Sequence, residues 1–68
     1  MFVKGMMMEE VMELVAAEGL EVVEESTYEA YDGTMAHELV VWQGDHAVSV
    51  GIFHDKVDEL VYIPAWAM

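Results

Sequence analysis

The chain has 68 residues, enough for one small domain, 1–68, and no more. Fourteen acidic residues stand against two lysines and no arginine, a formal charge of -12, which argues against nucleic acid or anionic lipid as direct partners, since both need cations to neutralise phosphate. Without cysteine there are no disulfides or thiolate metal sites, and no apolar run reaches the length that spans a bilayer.

Disordered chains combine high net charge with low hydrophobicity. This one is 56% hydrophobic with a mean hydropathy of +0.29, so a folded core is expected. A domain of this size buries only about 60% of its unfolded surface, which leaves apolar residues for a partner or a second copy. The opening Met1-Phe2-Val3-Lys4-Gly5 is broken by acids before any apolar stretch builds, unlike a secretory signal.

Met6 to Glu18 carries helical periodicity. Met7, Met8, Val11, Met12, Leu14 and Val15 fall within an arc of about 160°, with Glu9, Glu10 and Glu13 opposite. Gly19 suits the left-handed position after the last turn, and Leu20 can pack back on Val15 in a Schellman arrangement. At the other end only Gly5 is available as a cap.

Strand signals follow. Val22-Val23 and Tyr28 to Tyr31 read as one bent strand or two short ones, with a bulge near Glu24-Glu25. Asp32-Gly33 marks a turn, and a four-residue loop there sets Tyr28 opposite Leu39. His37 to Gln43 and His46 to Phe53 form a hairpin around Gly44-Asp45. That loop pairs Val41 with Val48, Leu39 with Val50 and His37 with Ile52, a convincing core face. A turn at Asp55-Lys56 leads to a last strand, Glu59 to Ile63, ended by Pro64. The predicted architecture is α+β: one N-terminal helix packed on an antiparallel sheet of about four strands, in α-β-β-β-β order.

Nothing in that scheme covers the second face of the sheet except the tail from Ala65 to Met68. Val40, Trp42 and Phe53 on that face, with Trp66 in the tail, are therefore expected to mediate self-association, most simply as a homodimer.

Catalytic signatures are lacking. Ser26 and Ser49 sit in no nucleophile-elbow context, the glycines form no phosphate loop, and no cofactor is implied. The hairpin register makes His37 and His54 diagonal neighbours, a conceivable two-histidine metal site, but no ligand spacing sharpens it and no metal is assigned. The chain is read as a non-enzyme.

The acids carry more information. Nine of the fourteen lie between Glu9 and Asp32 with no basic residue among them. Glu9, Glu10 and Glu13 share a helix face; Glu21, Glu25 and Glu29 share strand parity if that strand is unbroken. With Tyr28 and Tyr31 as apolar anchors, these six acids are the candidate partner-binding residues. Two plainer readings compete: a solvated face that keeps an apolar domain dissolved, and the acid-rich composition of a saline cytoplasm.

In length, in the uncompensated Glu9 to Asp32 region and in the lack of catalytic motifs, the chain resembles the small acidic inhibitors encoded by bacteriophages, including anti-CRISPR and other DNA-mimic proteins. The resemblance implies an inhibitor that docks on a basic, nucleic-acid-binding surface of another protein, in the cytoplasm of the host cell. The alternative is a structural or regulatory dimerisation module whose acids serve solubility or salt adaptation.

Overall fold

The computed structural model describes all of residues 1–68. Helix α1 (Met8–Glu18) precedes four strands, β1 (Glu21–Glu29), β2 (Met35–Trp42), β3 (His46–Phe53) and β4 (Lys56–Pro64), and a 3-10 turn at Ala65–Ala67. The strands make one antiparallel sheet in the order β1-β2-β3-β4, so the α-β-β-β-β arrangement expected from the sequence is the fold. No helix is long and apolar enough to cross a membrane.

The helix ends as its sequence dictates. Gly19 takes a left-handed conformation (φ 62°), Leu20 N–H donates to Val15 O at 3.0 Å, and Gly19 N–H donates to Ala16 O at 3.3 Å. Its start differs from expectation. Met6 belongs instead to a strap alongside β4: Val57 N–H donates to Met6 O (2.8 Å), and Gly5 N–H donates to Val57 O (2.9 Å). The cap is Met7, whose N–H donates to Glu10 Oε1 at 3.1 Å. The buried stripe is also narrower than the sequence arc. Val11 is fully buried and Met8, Leu14 and Val15 pack beside the core, while Met7 and Met12 stay exposed at its borders.

The β2–β3 hairpin has the predicted register, with Val41 opposite Val48, Leu39 opposite Val50 and His37 opposite Ile52. Gly44 supplies the positive φ (80°) that a tight turn with glycine at its first central position demands. Leu39, Val41, Val50 and Ile52 gather with Val11, Val57 and Phe2 into the core. Phe2 was not anticipated there; the strap against β4 is what brings it in.

The first hairpin departs from the sequence reading. Tyr28 lies opposite Ala36, not Leu39, which instead faces Glu25. The cause is loop chemistry. Asp32 Oδ1 accepts from both Thr34 N–H (3.1 Å) and Thr34 Oγ1 (2.6 Å), and Ala30 N–H donates to Thr34 O (2.8 Å), so the connection spans Ala30 to Thr34. The bulge expected near Glu24-Glu25 falls at Val23, between Val22 and Glu24. It keeps Val22 on the core side, opposite Val41, despite the register set by the loop.

At the third hairpin the turn is His54-Asp55, both at positive φ (53° and 62°), so β4 starts at Lys56 and not near Glu59. Neither residue is glycine, which is why the sequence pointed one residue later. A second bulge leaves Asp58 unpaired, because Gly51 faces Glu59 while Ile52 faces Val57. Pro64 closes the strand as expected, opposite His46.

Away from the helix the sheet is less open than foreseen. Ala36 and Ala47 are buried and Val40 is only 8% exposed, so Val40 offers little surface to a second copy. Trp42 and Phe53 are half-buried. The tail does not spread over this face, leaving Trp66 88% exposed.

Leu39 sits at the centre of the core, so Leu39→Ala should lower unfolding free energy by about 3 kcal/mol in urea titrations. Met12→Ala, at an exposed helix position, should change it by less than about 0.5 kcal/mol.

Candidate functional site

Strand alternation decides which acids and aromatics can act together. On the face turned away from α1, successive strands present Tyr28 beside Ala36, then Ser26, Glu38, Gly51 and Glu59 in one row across all four strands. Around this row lies a shallow cavity of about 490 Å³. Tyr28, Tyr31 and Phe53 are its aromatic lining residues, Glu29, Glu38, Asp58 and Glu59 its acidic ones, and Ala36 and Gly51 line it as well. By strand alternation Glu38 and Glu59 point to this face, whereas Glu29, next to Tyr28, points to the other.

Tyr31 reaches this cavity from the β1–β2 loop. Its ring lies nearly parallel to that of Phe53 (14°, centroids 6.0 Å apart) while 96% of its surface stays exposed. The loop is tied to the β3–β4 turn by His54 Nε2, which donates to Asp32 Oδ2 at 3.0 Å. The His54 ring also packs edge-on against Phe53 at 4.3 Å. The Asp32 carboxyl is held below its ordinary value of 3.8, chiefly by the Thr34 hydroxyl, then by the Thr34 amide and by His54.

Of the predicted binding residues, the structure brings together Tyr28, Tyr31 and Glu29 at this cavity. The others are divided. Glu9, Glu10 and Glu13 are exposed on α1, which covers the opposite face through Val11. The bulge at Val23 reverses the parity of β1, so Glu21, opposite Trp42, and Glu25, opposite Leu39, point to different faces. The shared parity of Glu21, Glu25 and Glu29 therefore does not hold. Phe53, expected to pair copies of the chain, is also one of the residues that line the cavity.

Glu38, Gly51, Asp58 and Glu59 were not among the partner-binding residues named from the sequence. The signal available was Gly51, a bare position inside a strand that otherwise carries side chains.

The histidines have separate partners. His37 Nδ1 is 3.2 Å from Thr27 Oγ1, His46 Nδ1 is 2.8 Å from Asp45 Oδ1, and His54 bonds Asp32. His46 also lowers the Asp45 carboxyl and stacks at a tilt on Tyr62, 4.7 Å away. No three His, Asp or Glu side chains are grouped to hold a metal ion. Comparisons with protein-family models, curated proteins and solved structures gave no match.

The Asp32 tether should be sensitive to acid in one direction. Because the folded carboxyl lies below 3.8, its contribution is complete above that value and is lost as pH falls through the lowered one. Asp32→Asn should remove this dependence and free the Tyr31 ring, read as a flatter acid limb in thermal melts and as narrower Tyr31 proton lines.

Proposed function

We propose that this chain is a protein-binding inhibitor that docks on a basic, nucleic-acid-binding surface of another protein and keeps phosphate backbones away from it. One observation carries this reading. Thirteen of the fourteen carboxylate residues are exposed and the other, Glu38, is half-buried, yet neither lysine pairs with any of them. Their only ionic partners are His46 and His54. Unneutralised charge of one sign opposes folding and favours a cationic surface outside the molecule.

The shape favours a partner that surrounds rather than one that lies flat. The Cα trace measures 35 × 26 × 17 Å, with Glu9, Glu10 and Glu13 on one side of the slab and Glu21, Glu24, Glu38 and Glu59 on the other. A thin body with acids on both faces suits a basic cleft of the kind that encloses nucleic acid. Tyr28 and Tyr31 would then enter with the sheet face, the helix acids meeting the far wall.

Self-association is a second reading, favoured by Trp66, whose ring is almost wholly in water. Pairing through the sheet would oppose Glu21, Glu24, Glu38 and Glu59 to their own copies. Sedimentation should therefore give a monomer that dimerises only at high salt, if at all, and Trp66→Ala should remove any dimer.

For the leading reading, a protein captured by this chain at low salt should be released by competing duplex DNA. Its affinity should fall at least about tenfold between about 0.05 and 0.2 M salt. Glu9→Lys with Glu13→Lys should weaken it by about tenfold without unfolding the chain; Glu10 is spared because it caps the helix. Salt-independent binding would overturn the reading.

A further inference from the structure

We propose that the cavity on the open sheet face is a socket for an arginine side chain of the partner protein. This rests on the reading above, that the partner is basic, and names the group it inserts and where.

The row across the sheet provides the first argument. Gly51 of β3 lies directly between Glu38 of β2 and Glu59 of β4. Strands are spaced by about 4.8 Å, so two like charges flank a gap roughly 10 Å wide with no side chain in it. Neither lysine lines the cavity, and Asp58 is a further acidic residue among its lining. The gap therefore favours a cation over an anion, and neither lysine of the fold occupies it.

The glycine provides the second. A mid-strand glycine costs stability, so something must favour it. Backbone strain does not, because Gly51 has no positive φ. Crowding does not either, because an added Cβ would approach only Glu59 (its Cβ at 3.5 Å, its backbone no closer), an ordinary contact. What the missing side chain leaves is room on the floor of the cavity.

The aromatic rings select among cations. Tyr28, Tyr31 and Phe53 line the cavity together with Glu38 and Glu59, and the Tyr31 and Phe53 rings lie nearly parallel. A guanidinium is planar, stacks on aromatic faces, sheds water more easily than an ammonium and offers five donors to carboxylates. An ordinary metal dication would need oxygen ligands converging on one point, which are not grouped here. A second copy of this chain cannot be the occupant, because the chain contains no arginine.

The test uses the isotope-labelled full chain and blocked pentapeptides with a central arginine, lysine or citrulline. The arginine peptide should shift the Gly51 amide and Tyr31 ring resonances saturably; the lysine and citrulline peptides should bind at least about tenfold more weakly. Gly51→Leu, which fills the floor, and Glu38→Gln with Glu59→Gln should each reduce arginine binding by about tenfold or more. Tyr31→Ala, at an exposed position, gives the same readout if Gly51→Leu does not fold. Glu9→Lys with Glu13→Lys, on the far side, should leave peptide binding within about twofold.

Equal shifts with arginine and citrulline, or shifts spread over all acidic residues, would overturn the socket. So would salt-sensitive capture of a partner that Gly51→Leu and Tyr31→Ala leave unchanged, although the inhibitor reading would survive that result. Arginine-selective binding at Gly51 with no salt-sensitive partner would instead uphold the socket and remove the inhibitor reading.

Discussion

Gly44 and Asp45 hold β2 and β3 in one register, and both faces of the sheet depend on it. On one side this register stacks Leu39 against Val50 and Val41 against Val48 beneath Val11 of the helix. On the other it sets Glu38 beside Gly51. A slip of one residue would exchange the faces, sending Glu38 under the helix and Leu39 into water. Burying an unpaired carboxylate costs more than burying a leucine gains, so the slipped form is strongly disfavoured.

The molecule has little stability in reserve for that choice. Ten residues are buried, and no disulfide assists them. Each large aliphatic side chain in the core contributes about 1.5–3 kcal/mol against the entropy of ordering the chain and the mutual repulsion of the acids. Placing the carboxylates at the surface, on both sides of a thin slab, spreads that repulsion into water, where it fades over about 8 Å at physiological ionic strength.

Much of the scaffold was legible in the residues. Helix periodicity, the glycine after its last turn and the Gly44-Asp45 hairpin each follow from local chemistry. Where the reading went astray, a side chain or a distant segment overrode the local pattern. Asp32 bonded to Thr34 closed the first loop around Tyr31-Asp32-Gly33, one residue tighter than expected, and two non-glycine residues took positive φ at the third turn. Phe2 entered the core through hydrogen bonds between the strap and β4 that no periodicity announces. The candidate site was half legible: Tyr28, Tyr31 and Glu29 were named, but Glu38, Gly51 and Glu59 became neighbours only once three strands were aligned. Grouping Glu21 with Glu25 failed because a single extra residue, Val23, turns the strand over between them.

The bulge at Val23 has a counterpart at Asp58, so each outer strand of the sheet is broken once. Regular, unbroken edges invite further strands to add, the route by which apolar β proteins form fibrils. Here one border combines its kink with Glu21, Glu24, Glu25 and Glu29, and the other with Lys56, Glu59 and a terminal proline. Lateral growth of the sheet is thus blocked at both margins. A chain more than half hydrophobic therefore carries rings such as Tyr31 and Trp66 in water beside strand edges poorly suited to backbone pairing.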